Sequence, residues 1–282
     1  MSTPATAPRH LARPGGRIAY DVTGDGPLVV AIPGMGDLRQ SYRFLVPALV
    51  EAGYRVATMD LRGHGDSDAT FDTYDDVAAA TDALALIAEL GGPAVIVGNS
   101  MGAGAAAWAA AEAPGQVAGV VLVGPFVRNP PSSAIANLLF RLLLLKPWGP
   151  SALLGWFGKL MPGERPADFD AYKRQLKANL ARPGHWAAFK ATSRTSHAPA
   201  EARLGQVRAP ALVVMGDRDP DFKDPAAEAR WIADQLRGEV LVVSGAGHYP
   251  QAQAPAVVNP AIVRFRAASH PTTVATPVAA GA

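Results

Sequence analysis

Apolar and polar positions along this chain follow two rhythms. Short runs rich in β-branched and aliphatic residues, at 17–22, 28–32, 54–59, 93–98, 117–123, 211–215 and 240–243, have the length and composition of strands. Between them, at 42–52, 74–90, 103–111 and 225–236, and after the last at 257–268, the pattern is that of helices. Phe44, Leu45, Ala48 and Leu49 set the helical spacing in the first, and Gly53 is of the type that ends a helix. The second opens on Asp75 and Asp76, acids suited to the positive end of a helix dipole. Strands alternating with helices predict an α/β fold, a mostly parallel sheet with helices on both faces.

The rhythm breaks once. From 126 to 206 no run reads as a buried strand, and apolar helical stretches such as 135–145 and 169–180 are separated by Pro and Gly. The chain is therefore expected to divide into a core at 1–125 and 207–268 and an inserted helical cap at 126–206. Residues 269–282, rich in Ala, Thr and Pro, are expected to be disordered. The run 138–145 is strongly apolar, but it falls far short of the roughly 20 residues needed to span a bilayer. It reads as a cap helix over the sheet, and contact with a membrane interface is open to it.

Hydrophobic residues make up 49% and charged residues 18%, the balance of a soluble globular protein. Cysteine is absent, which removes disulfides, thiolate metal sites and a cysteine nucleophile. The first fourteen residues contain no apolar stretch of the kind a signal peptide needs, so a cytoplasmic setting is expected. A net charge of only +2 argues against nucleic acid as the main partner. The charge is uneven, however: residues 126–206 hold twelve Lys/Arg against four Asp/Glu, a local +8 that leaves −6 for the remainder.

Chemistry enters at residues 93–102, where an apolar strand leads into Gly98-x-Ser100-x-Gly102 and then an Ala-rich helix. Strand, sharp turn and helix are the setting of a nucleophile elbow, with Ser100 at its tip. A serine hydroxyl is a weak nucleophile near neutral pH and needs a base, itself oriented by a third group. His248 lies in the loop 244–250 after the last strand, where an imidazole can hang over the carboxyl edge of the sheet. His10 and His270 lie near the chain ends, and His185 and His197 in the insertion, which leaves His64 as the rival. For the acid, the loop Gly124-Pro125-Phe126 offers no carboxylate, whereas residues 216–221 offer Asp217, Asp219 and Asp221. Asp219 is the first choice and Asp217 the second, because a residue further along the loop can reach a histidine above the sheet edge. The loop Pro33-Gly34-Met35-Gly36-Asp37, directly after a strand, leaves backbone N–H groups able to face a developing negative charge.

The order Ser100, Asp219, His248 together with the elbow resembles the α/β-hydrolase fold serine hydrolases, over nearly everything outside residues 126–206. The resemblance implies that Gly216 to Asp219 supplies the acid, Gly245 to His248 the base, and the backbone N–H groups of Met35 and Met101 the oxyanion hole. Many members carry His-Gly where this chain has Pro33-Gly34; since the donor is main chain, the hole is expected to persist. The run Asp60-Leu61-Arg62-Gly63-His64-Gly65-Asp66-Ser67 also resembles the family, where it is mainly structural. Acyl transfer without metal or organic cofactor is implied, and Ser at the elbow argues against the haloalkane dehalogenase and epoxide hydrolase branches. With Trp148, Trp156, Phe157, Trp186 and Phe189 in the insertion, a small-molecule carboxylic ester with an apolar acyl or aryl group is the favoured substrate. The carbon–carbon bond hydrolases of aromatic ring-cleavage pathways come second, since they usually have a longer Gly-rich oxyanion loop and a Trp where this chain has Tyr249. A ligand receptor on the same fold is the reading of another class.

Overall fold

The computed structural model describes residues 7–130, 134–145 and 147–269. Its strands are β1 (Arg9–Arg13), β2 (Gly16–Thr23), β3 (Leu28–Ile32), β4 (Arg55–Met59), β5 (Ala94–Asn99), β6 (Val117–Val123), β7 (Ala211–Gly216) and β8 (Glu239–Val243). They form one sheet in the order β1-β2-β4-β3-β5-β6-β7-β8. Every pairing from β4 across to β8 is parallel, and the β1–β2 and β2–β4 pairs are antiparallel. The helices are α1 (Leu45–Glu51), α2 (Asp76–Leu90), α3 (Met101–Glu112), α4 (Ala134–Leu143), α5 (Gly149–Lys159), α6 (Phe169–Ala181), α7 (His185–Thr192), α8 (Ala198–Glu201), α9 (Pro225–Leu236), α10 (Pro250–Gln253) and α11 (Pro255–Ser269).

Period-two alternation sorts strand side chains between two layers. Val30, Ile32, Ile96 and Leu122 face the side covered by α2, α3 and α9, while Val29, Ala31, Val95, Val97 and Val121 face α1 and α11. The alanines of α3 from Ala103 to Ala110 are all buried, which lets α2 and the central strands approach it closely. At the start of α2 the Asp75 carboxylate accepts the Ala78 N–H at 2.8 Å, the cap that its acidic opening predicts.

Between β6 and β7 the described residues hold helices and no strand. Leu154, Phe157, Phe169, Tyr172, Leu176, Trp186 and Phe189 form their own apolar cluster, closed below by Leu38 and Tyr249 from loops at the carboxyl edge of the sheet. Three polar contacts pin these helices down: the Arg43 guanidinium bonds both oxygens of Asp168 at 2.6 and 2.7 Å, Tyr172 Oη donates to Asp37, and His197 Nδ1 lies 2.6 Å from Asp76 Oδ2.

The structure adds one strand to the expected set and corrects one helix boundary. The polar N-terminal segment contributes a strand: β1 buries Leu11, and Arg13 reaches Asp82 at 2.8 Å, the carboxylate that Arg62 also grips at 2.6 and 2.9 Å. The helix expected from residue 42 begins at Leu45, after a short 3-10 turn at Arg39–Tyr42. Of the tail at 269–282, Ser269 closes α11 and the rest lies outside the described residues. Among the described residues no helix is long and apolar enough to cross a membrane.

Candidate active site

The strand order reverses direction between β3 and β5, and the crevice above such a point, at the carboxyl ends of parallel strands, is where ligands of open α/β sheets bind. Both loops that open there carry candidate chemistry. Ser100 follows β5 directly and adopts φ 57°, ψ −122°, a strained conformation that non-glycine residues rarely occupy. Its N–H is held by Val123 O at 2.9 Å. The flanking glycines are required by crowding: a Cβ on Gly98 would lie 2.1 Å from Gly102 O, and one on Gly102 2.4 Å from Ile32 O.

The loop after β3 packs against this turn so closely that a Cβ on Gly34 would meet Ser100 Cβ at 2.9 Å. Neither the Met35 nor the Met101 N–H is used by a protein acceptor among the described residues. For Met101 this follows from its place at the first position of α3, where helical N–H groups have no partner. The loop is braced from outside by His64, which is fully buried. Gly36 N–H donates to His64 Nε2 at 3.0 Å, and His64 Nδ1 lies 2.9 Å from Arg62 O. These partners require a neutral ring with its proton on Nδ1. Burial agrees, pushing the His64 pKa down to about 4. The rival base is thus locked in a scaffold role.

His248 sits in the loop between β8 and α10, its N–H bonded to Leu160 O at 2.8 Å and its carbonyl accepting from Asn99 Nδ2 at 3.2 Å. Phe126 and Tyr249 box its ring edge-on at 5.7 and 5.2 Å. Nδ1 lies 2.7 Å from Asp219 Oδ2, and both side chains are buried. Asp221 Oδ2 stands 3.7 Å from the same nitrogen. Burial disfavours a charged imidazole, but Asp219, then Asp221 and Asp37, outweigh it and push the His248 pKa up to about 9.

Of the expected residues, Asp219 and His248 are in contact, Ser100 and Met101 share the turn after β5, and Met35 lies on the loop after β3 that packs against it. His248 and Ser100 both border Phe126, yet the structure records no hydrogen bond between Ser100 Oγ and His248. The second-choice acid, Asp217, is elsewhere: its carboxylate accepts Gly245 N–H at 2.7 Å and braces the histidine loop without touching the ring. Asp221 is the residue that sequence reasoning passed over, and nothing in a loop with three acids distinguishes it before the chain is folded. The grouping of Asp219, Asp221 and His248, with ligand atoms within 4.8 Å of one another, is among the described residues the one set able to hold a metal ion. The short His248–Asp219 bond occupies the same atoms as an acid–base pair.

A strained serine turn, the loop packed against it and a histidine–aspartate pair on a mostly parallel sheet define an α/β-hydrolase fold. Residues 29–261 match the model of the Alpha/beta hydrolase family, and the chain belongs to that family. Among curated proteins it is 31% identical over 229 residues to a pimeloyl-[acyl-carrier protein] methyl ester esterase of Neisseria meningitidis, covering 79% of this chain and 86% of that one. It is 32% identical over 259 residues to the putative non-heme bromoperoxidase BpoC of Mycobacterium tuberculosis, covering 88% and 97%. Among solved structures, a hydrolase from Pseudomonas aeruginosa superposes with a TM-score of 0.78 at 24% identity, covering 93% of this chain and 99% of that one.

Proposed function

We propose that this chain is a serine hydrolase that cleaves a small carboxylic ester through Ser100, His248 and Asp219. The observation that carries the reading is the buried 2.7 Å contact of His248 Nδ1 with Asp219, next to a serine held in a strained turn. In the reaction Ser100 Oγ attacks the ester carbonyl while His248 Nε2 takes its proton. The oxyanion is met by the free N–H groups of Met35 and Met101, and His248 then protonates the departing alcohol. Water, deprotonated by the same imidazole, releases the acid. The Ser100–His248 hydrogen bond forms in the substrate complex, as catalytic contacts often tighten only there. Within the inserted helices Phe189 and Leu153 lie beside the oxyanion loop at Gly36 and shape the acyl site.

The esterase relative supports the ester over other acyl compounds, since its name specifies a methyl ester. No feature of the site favours carbon–carbon bond cleavage. A receptor would need neither a strained serine nor a polarised imidazole.

The test is a screen of p-nitrophenyl esters of graded chain length beside a ring-cleavage dienone, with wild type and Ser100→Ala. Esters should turn over, and the variant should lose on the order of 10⁶ in kcat while keeping its unfolding midpoint. Wild-type-like turnover by the variant, or turnover of the dienone alone, would overturn the reading.

A further inference from the structure

Among the described residues, exposed large apolar side chains are concentrated on one stretch. Leu138, Leu139, Phe140, Leu142, Leu143 and Leu145, on α4 and just beyond it, are each 43–60% exposed. Trp148 is 53% exposed and closes the stretch at one end, its indole N–H donating to Leu142 O at 3.1 Å. With Leu139, Phe140, Leu142 and Leu143 it lines an open groove of about 670 Å³. Trp156 on α5 is also exposed, with the Lys159 ammonium 5.9 Å from its ring. An apolar patch of this extent needs an occupant.

The charge pattern selects one. Residues 129–163 carry Arg141, Lys146 and Lys159 and not one carboxylate, a sequence charge of +3. A second copy of this chain docked through the same patch would bring these like charges together, while an anionic surface would be attracted. α4 is about 15 Å long at 1.5 Å per residue, too short to span a bilayer but suited to lying in its interface. Exposed tryptophans beside aliphatic residues are the side chains that sit at headgroup depth.

We propose that α4, with Trp148 and Trp156, is a docking surface for anionic lipid bilayers: the leucines and Phe140 enter the acyl boundary, and Lys159 beside Trp156 meets the lipid phosphates. This inference is independent of the ester reading, because the surface includes none of the residues assigned to the reaction.

Co-sedimentation with vesicles of phosphatidylcholine containing phosphatidylglycerol, beside pure phosphatidylcholine, tests it across a salt series. Binding to the anionic vesicles is expected at low salt, weakening as the Debye length shrinks from roughly 30 Å at 0.01 M to about 8 Å at 0.15 M. It should be accompanied by a blue shift of tryptophan emission. Leu139→Glu/Leu142→Glu, at exposed positions the fold does not depend on, should reduce vesicle affinity by on the order of tenfold or more, given the area two leucines bury. Turnover of a soluble ester by that variant should be unchanged. Absence of binding at low salt, or equal binding by the variant, overturns the proposal. A concentration-dependent dimer that the variant abolishes, without vesicle binding, also overturns it and assigns the patch to self-association.

Discussion

Replacing Asp219 by Asn keeps the side chain's shape and removes its charge, which isolates what that carboxylate does for His248. Two losses follow. The first is electrostatic: despite burial, the acids around His248 hold its pKa at about 9 against an ordinary 6.5, a net preference for the imidazolium of roughly 3 kcal/mol. In the proposed reaction that cation is the species formed when Ser100 yields its proton, so losing most of the preference should lower kcat by about 10². The second is tautomeric. An amide N–H turned toward Nδ1 stabilises the ring with its proton on Nε2, the atom that has to accept from serine, and the combined loss reaches roughly 10⁴ on the scale of other triads. Asp221 is 3.7 Å from Nδ1 and more open to solvent, and it does not choose the tautomer; Asp221→Asn should lose about tenfold. Asp217→Asn breaks only the brace to Gly245 and should change kcat a few-fold at most. The assay is kcat/KM for a p-nitrophenyl ester against pH, with unfolding curves to show that each variant is folded. In wild type the value should climb with pH toward about 9, because only the neutral imidazole accepts a proton, and this limb should move down in Asp219→Asn. A greater loss in Asp221→Asn or Asp217→Asn, or a limb that does not move, would refute the reasoning.

Other outcomes follow from His64 and His248, both of them buried. His64→Ala frees the Gly36 N–H, so kcat should fall by about tenfold or more with KM little changed, and His64→Gln, which restores an acceptor, should recover part of it; equal kcat in all three proteins would contradict a positioning role. In stability the histidines act with opposite signs. The folded-state pKa of His64 is depressed, so its contribution is present above about pH 6.5 and lost as pH falls through about 4. That of His248 is raised, so its contribution is present below about 6.5 and lost as pH rises through about 9. Urea unfolding should therefore show these contributions peaking near pH 6.5, with roughly 3 kcal/mol at stake on each side, and a flat acid side in wild type would contradict the account.

What the sequence made legible is what local physics decides. β5, the elbow and α3 are specified within twenty residues, because a strained turn between a buried strand and a helix admits only small residues at 98 and 102. The alternation of strands and helices is likewise written into each segment, and it supplies the sheet on which Ser100, Asp219 and His248 lie in a recognisable order. What stayed hidden depends on partners far along the chain. β1 has one buried apolar residue and holds its place through Arg13 on Asp82, a carboxylate 69 positions away, so no period within residues 9–13 announces it. The choice among Asp217, Asp219 and Asp221 turns on which carboxylate the β7 loop presents to a ring 29 residues later. His64 looked like a candidate base because its residue type fits that role, and only its two hydrogen bonds, accepted from Gly36 in the neighbouring loop and donated to Arg62 O in its own, fix it as a neutral ring. The same contact bears on the loop that carries Pro33-Gly34: from the β4 side His64 fixes Gly36, one residue beyond the Met35 amide to which the proposed mechanism assigns the oxyanion.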